Sequence, residues 1–291
     1  MKYTILMLLW LPFVTMAQIS TQRELNLKGR ITKVIYTHYE IEDSFGYSVN
    51  KKISRETYLF NNKGQTNTYN FYSFKRKLIK PQEETTTFAY VDGKVSDVVT
   101  KSKYGLSRRV HLDYENGLVK CKYFYGNTSS NKTTYVYDAK DRLEMSCYFE
   151  NNGASNCHMF LYDSSGKLIE ENDVNKNKDE YDKIPTTKYL YDDSDNIQEM
   201  EIWYKEDTNP YEKTVYHYDE HANVIELETY TLSGDDQKVY KEKEGLDDDM
   251  FNYKAILSYD NRGNIIKQVI KKKVLEDYKP CSFYTAEIFY Q

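Results

Sequence analysis

The stretch Tyr189-Leu190-Tyr191-Asp192-Asp193-Ser194-Asp195-Asn196-Ile197-Gln198-Glu199 recurs along this chain in altered spellings. It returns as Tyr216-His217-Tyr218-Asp219 leading to Val224, and as Leu257-Ser258-Tyr259-Asp260 leading to Ile265. Earlier versions are Tyr135-Val136-Tyr137-Asp138 leading to Leu143, and Phe160-Leu161-Tyr162-Asp163 leading to Leu168. In each, two aromatic or apolar residues flank a third, so both point to one face of a β-strand. The Asp can accept a hydrogen bond from the N–H two residues on, which opens a turn. Gly64, Gly166 and Gly263 stand three residues beyond the Asp or its equivalent, where a type I turn followed by a left-handed residue needs a positive φ. Asp141 and Asp195 take that place in two copies and Ala222 in a third. Ala suits it poorly, so Asn223 is expected to carry the positive φ instead. The unit is therefore a β-hairpin.

Between residues 133 and 230 the copies are regular, with 25, 29 and 27 residues separating Tyr137, Tyr162, Tyr191 and Tyr218. A near-constant period marks a repeat architecture in which each hairpin needs its neighbours to bury its faces. The pattern resembles the YD repeat of the RHS family of large bacterial surface and toxin-delivery proteins. Good copies cover 135–144, 160–169, 189–198, 216–225 and 257–266. Weaker ones are 58–66, 88–95 and 112–119, the last two shortened to Tyr90-Val91-Asp92-Gly93 and Tyr114-Glu115-Asn116-Gly117. The opening Leu27-Lys28-Gly29-Arg30-Ile31 is similar to the first strand of small secreted YD-repeat proteins. The resemblance implies an all-β fold, a continuous antiparallel sheet of about eight repeated hairpins that is open and curled or partly closed. The delivery function of the giant members is not carried over to a chain of this size.

Residues 1–17 read as a secretory signal peptide, with Lys2 as its positive start, an apolar run from Ile5 to Val14 and the small-residue exit Thr15-Met16-Ala17. No later run is apolar enough to span a bilayer as a helix. The expected product is residues 18–291, a single hairpin-repeat domain with eroded repeats over 27–125, regular ones over 133–266 and a closing strand at 284–290. Its address is the periplasm or the cell surface. The first strand is expected at Ile31 to Tyr39, a polar hairpin tip at 40–54 and a polar loop at Gly126 to Lys132. Acidic and polar insertions occupy Asn172 to Pro185 and Ser233 to Asn252. The net charge of −5 is mild and spread along the chain, which excludes a nucleic-acid footprint. Thirty Tyr in 291 residues, with a mean hydropathy of −0.79, point to a thin sheet paved with rings whose hydroxyls stay wet.

Cys147 and Cys157 flank Asn151-Asn152-Gly153, so a hairpin turning there sets them opposite one another as an expected disulfide in an exported chain. Cys121 and Cys281 are not expected to pair. His217 falls on the face opposite Tyr216 and Tyr218, and His221 falls in a turn; both read as solvated. The runs Asp247-Asp248-Asp249 and Asp192-Asp193-Ser194-Asp195 lack the ligand spacing of a calcium loop. No metal, cofactor or catalytic residue is assigned. The aromatic rows offer one sharper candidate. Trp203 and Tyr204 follow the best-formed repeat beside Tyr189 and Tyr191, and these four make a tentative platform for stacking on sugar rings or seating a partner's side chains.

These readings converge on a non-catalytic binding or scaffold protein of the cell envelope, with glycan as the first expected ligand. An envelope or toxin protein partner, met through the acidic insertions, is the alternative. A carbohydrate hydrolase ranks third.

Overall fold

A computed structural model describes residues 25, 27–44, 47–74, 82–105, 107–126, 130–150, 155–175, 185–204, 210–232, 239–240, 253–274 and 277–291. Residues 1–17, expected to be a signal peptide, and most of both long insertions lie outside these residues. Among them the chain is all β, with no helix long and apolar enough to cross a membrane. Nineteen strands follow one another. They begin with β1 (Ile31–Ser44), β2 (Tyr47–Phe60), β3 (Thr66–Ser73), β4 (Glu83–Val91), β5 (Lys94–Ser102) and β6 (Ser107–Glu115). Next come β7 (Leu118–Tyr125), β8 (Ser130–Tyr137), β9 (Leu143–Glu150), β10 (Ser155–Tyr162), β11 (Leu168–Asn175) and β12 (Pro185–Tyr191). The series ends with β13 (Ile197–Tyr204), β14 (Glu212–Tyr218), β15 (Val224–Leu232), β16 (Val239–Tyr240), β17 (Tyr253–Tyr259), β18 (Ile265–Val274) and β19 (Asp277–Tyr290).

Two compact units divide these strands: Met1–Val110 with Asn223–Ile225 and Tyr253–Gln291, and His111–Ala222 with Glu226–Asn252. Within the first, β2 to β5 pair antiparallel in sequence order, and β17, β18 and β19 do the same. The last strand then pairs with the first, Ile31 opposite Tyr290 through Glu40 opposite Ser282, as expected of the closing strand. Within the second unit, β7 to β14 form an uninterrupted antiparallel run.

The repeated motif builds its turns as its residues dictate. Asp138 Oδ1 accepts from the N–H groups of Lys140 and Arg142, Asp192 Oδ1 from those of Ser194 and Asn196, and Asp260 Oδ1 from those of Arg262 and Asn264. Asn61 does the same for Lys63 and Gln65, so the motif tolerates Asn at this acceptor. Positive φ falls three residues after the Asp at Gly64, Asp141, Gly166, Asp195 and Gly263. It falls also on Ala222, with φ 58°, and not on Asn223. That corrects the expectation: the turn opened by Asp219 places its left-handed residue three beyond the Asp, as in the sister turns, whichever residue stands there, and Asn223 lies one place past it. Asn223 is 2% exposed and donates from Nδ2 to the Tyr259 hydroxyl. The shortened turns put both Asp92-Gly93 and Asn116-Gly117 at positive φ, the two-residue I′ geometry whose twist suits a hairpin.

Strand reaches further into two segments than expected. Residues 40–44 and 47–54, expected as part of a hairpin tip, continue β1 and β2, held in register from Glu40 opposite Lys51 to Ser44 opposite Tyr47. Polar residues suffice there because the ladder is backbone-made and opposite charges such as Lys51 and Glu42 meet across it at 2.8 Å. Likewise β8 begins at Ser130, inside the expected loop of 126–132, with Asn131 pairing with both Phe124 and Glu150.

Candidate functional site

The motif's second aromatic residue, the one just before the Asp, is a clamp between repeats. Its hydroxyl donates to the carbonyl of a residue just past the preceding turn: Tyr162 to Leu143 at 2.8 Å, Tyr191 to Leu168 at 2.7 Å, Tyr218 to Ile197 at 2.7 Å and Tyr137 to Val119 at 2.9 Å. Tyr90 reaches Thr66 in the same way. In four copies the residue four beyond the Asp completes the clamp. Arg142 lies 4.6 Å from the centre of the Tyr162 ring and Lys167 5.2 Å from that of Tyr191, while Asn223 and Asn264 hydrogen-bond the hydroxyls of Tyr259 and Tyr290.

The final clamp is the densest. Asn264 is 1% exposed; it accepts from Lys28 N–H and donates to the Lys28 carbonyl, the Tyr290 hydroxyl and Asp260. Burial works to raise the Asp260 carboxyl, but hydrogen bonds from Tyr290, Asn264 and Arg262 outweigh it and hold the group at about 2. Residues 28–30 and 290–291 are thereby tied to one turn, with Gln291 N–H also donating to Arg30.

In the first unit, register stacks one face into three rows. Ile288, Val34, Tyr58, Tyr69, Thr86 and Thr100 form the row nearest the turns. It is nearly dry: Val34 is 0% exposed, Tyr58 1% and Thr86 3%. The next row reads Ala286, Tyr36, Glu56, Phe71, Glu84 and Ser102, and every member is partly accessible. Beyond it lie Gln268, Tyr284, His38, Ser54 and Ser73, also partly accessible. A packed floor thus gives way, along the strands, to a wet layer of rings, hydroxyls and two carboxylates.

Glu56 is the centre of that layer. The Tyr58 hydroxyl donates to its Oε2 at 3.4 Å, and Tyr69 also hydrogen-bonds it. Burial raises the carboxyl to about 7 despite those two bonds. The same burial, with Glu56 beside them, pushes the Tyr36, Tyr58 and Tyr69 hydroxyls well up and Tyr284 to about 12, so all four stay neutral donors. The rings pack on one another, Tyr58 on Tyr69 at 4.8 Å and His38 flat on Tyr284 at 4.3 Å. Neither Lys nor Arg occurs in the three rows.

The four residues proposed from sequence do not make one platform. Tyr189 and Tyr191 share a face, Tyr189 opposite Met200. Trp203 pairs with Thr186 and is an odd number of residues from Met200, which turns it to the other face. There its Nε1–H donates to Glu201 and Lys188 lies 4.1 Å from the centre of its ring. Tyr204 pairs through its backbone with Pro185. Around Trp203 the register runs Glu170, Lys188, Glu201, Lys213, a ladder of alternating charge. Tyr191 is occupied as a clamp, and Tyr189 hydrogen-bonds Glu171, whose carboxyl burial raises.

Cys147 and Cys157 are directly opposed and bonded, as expected from sequence; Cys121 and Cys281 are free thiols. His217 is exposed and His221 sits 3.6 Å from Glu220 in its turn. Among the described residues no three His, Cys, Asp or Glu gather closely enough to hold a metal ion.

Sequence reasoning missed Glu56, although a signal was present. The residue two before the first aromatic or apolar residue of the motif is Thr86, Val110, Thr133, His158, Thr187, Thr214 or Ala255 in other copies. Glu56 is the one acid in that series.

No protein-family model matches the chain, and no curated protein matches it. Among solved structures it is similar to a porin-like protein from Bacteroides uniformis, at 13% identity and a TM-score of 0.42, over 89% of this chain and 97% of that one. A porin-like protein from Bacteroides vulgatus gives 11%, 0.29, 91% and 99%. The TcdB2-TccC3-Cdc42 complex gives 12% and 0.34, over 86% of this chain and 15% of that one. No functional argument rests on likenesses this weak.

Proposed function

We propose that this is an exported, non-catalytic binding protein of the cell envelope that recognises glycan on the wet tyrosine face around Glu56. The observation that carries the reading is the change along that face from a dry floor to an accessible row of Tyr36, Glu56 and Phe71. Rings that are partly accessible stack on the apolar faces of sugars, and neutral phenols beside a carboxylate satisfy sugar hydroxyls. The exported address rests on residues 1–17. The alternating Glu170, Lys188, Glu201, Lys213 ladder supports water, rather than lipid, against the opposite face of the second unit.

A carbohydrate hydrolase is the second reading, favoured by Glu56 and Glu84 standing in one row with Phe71 between them. A protein partner held by the acidic insertions concerns residues outside those described.

Binding of residues 18–291 to a broad glycan array tests the main reading. Saturable binding to one polymer class that Phe71→Ala removes, while Trp203→Ala does not, is the expected result. A blank array, or loss with Trp203→Ala alone, overturns the assignment to this face. Release of reducing ends from the bound polymer, abolished by Glu56→Gln, replaces binding with hydrolysis.

A further inference from the structure

The row that carries Glu56 is unusual in its charge. It holds two carboxylates, Glu56 and Glu84, on either side of Phe71, and no Lys or Arg stands in this row or in those flanking it. A carboxylate taken partly out of water is normally matched by a cation or by several donors. Here phenols supply the donors. Among the described residues, its neighbours along and across these rows are aromatics, hydroxyls and another acid: Tyr36 and His38 on β1, Ser54 and Tyr58 on its own strand, Phe71 and Tyr69 on β3, Glu84 on β4 and Tyr284 on β19. Aromatic faces carry negative potential at their centres and attract ammonium groups, most strongly where water is thin. Rings, a carboxylate and the hydroxyls of Ser54, Ser73 and Ser102 are together the complement of a positively charged nitrogen.

We propose that this face binds an alkylammonium group, the carboxylate of Glu56 supplying the counter-charge and the neighbouring rings the walls. The inference rests on the reading above that this face is the binding surface, and it narrows the ligand to one bearing an amine. The entering cation favours the ionised carboxylate. Since the empty site holds Glu56 at about 7, binding near neutral pH expels part of a proton, and acidification weakens binding as proton and ligand compete.

Choline is the first probe, because its charge is permanent and any pH dependence then belongs to the protein. Calorimetry of residues 18–291 in two buffers of different ionisation enthalpy counts the protons. Saturable binding, proton release near pH 7 and affinity at least about tenfold weaker in Glu56→Gln, the scale of one partly desolvated ion pair, are expected. The Glu56→Gln protein should keep the circular-dichroism spectrum of the parent. No choline binding at tens of millimolar, or equal affinity in Glu56→Gln, overturns the proposal. A glucosamine oligomer and its N-acetylated counterpart form the second arm, choline serving as competitor. A preference for the free amine, relieved by choline, supports it. Binding of the N-acetylated oligomer that Phe71→Ala removes and choline ignores leaves the glycan reading standing and defeats this one. Choline binding with both oligomers silent does the reverse.

Discussion

The two units spell the same motif with different fidelity, and the less faithful one is the better packed. Regular repeats fill the second unit, where Tyr216 is buried, yet Tyr135, Tyr137, Phe160, Tyr162, Tyr189 and Tyr191 all remain partly accessible. Eroded repeats fill much of the first, and it holds Val34, Tyr58, Phe60, Tyr69, Phe88 and Val98 among its buried residues. The repeat thus encodes the interlocking of neighbours, through Asp turns and tyrosine clamps, rather than a dry interior. Where the chain departs from the repeat, it gains a core and an acid with an unusual environment.

The sharpest way to break that comparison is the same truncation in each unit. Tyr58→Ala removes a ring that is 1% exposed and packed on Tyr36, Phe60 and Tyr69, so it should cost about 3–5 kcal/mol, the usual penalty of an aromatic cavity. Tyr189→Ala removes a partly exposed ring and should cost roughly 1–2 kcal/mol, because less area returns to water. Urea unfolding of both variants checks it. Equal losses would mean that burial does not separate the units.

A smaller effect sharpens the same contrast through pH. The Glu56 carboxyl is lifted from 4.5 to about 7 by burial. A raised acid binds its proton more tightly folded than unfolded, so the stability it confers is complete below about 4.5 and is lost as pH rises through 7. The full swing is roughly 3 kcal/mol if the whole shift is expressed. Melting temperature should therefore fall between about pH 4.5 and 7 in the parent and level off above, and Glu56→Gln should flatten that slope. A parent and variant with parallel profiles would assign the titration elsewhere, Glu171 and Glu212 being the candidates in the second unit.

How much of this was legible follows from where each feature's cause resides. Turns, hairpins, the Cys147–Cys157 bridge and the pairing of the last strand were readable, because each is set by residues within one repeat or by the need of an end strand for a partner. The clamps were half-readable. The repeated Tyr announces itself, but its acceptor is a backbone carbonyl in the preceding repeat, which carries no side-chain signature. The platform around Trp203 failed on parity: adjacency in sequence was taken for adjacency in space, and a strand turns successive residues to opposite faces. The extension of β1 to Ser44 and the start of β2 at Tyr47 were hidden, because a ladder of backbone hydrogen bonds needs no apolar residue to form.

Ala222 gives the smallest test, one in which the repeat's own grammar is restored. Its φ of 58° places a Cβ in a region that costs an L-residue roughly 1 kcal/mol, and that Gly occupies freely. Three sister turns place Gly there. The turn itself is intact, with Ala222 N–H donating to the Asp219 carbonyl at 3.0 Å and His221 N–H to Asp219 Oδ1 at 2.9 Å. Ala222→Gly should therefore stabilise the protein by about 0.5–1 kcal/mol, relief of strain outweighing the added freedom of the unfolded chain. The reciprocal change, Gly166→Ala at φ 92°, should destabilise by at least as much. Both are read as shifts in the urea midpoint at constant slope. If Ala222→Gly is neutral or harmful, the left-handed residue is held by the hydrogen bonds around it at no net cost, and Asn223, locked onto Tyr259 one residue later, is the bond that holds it.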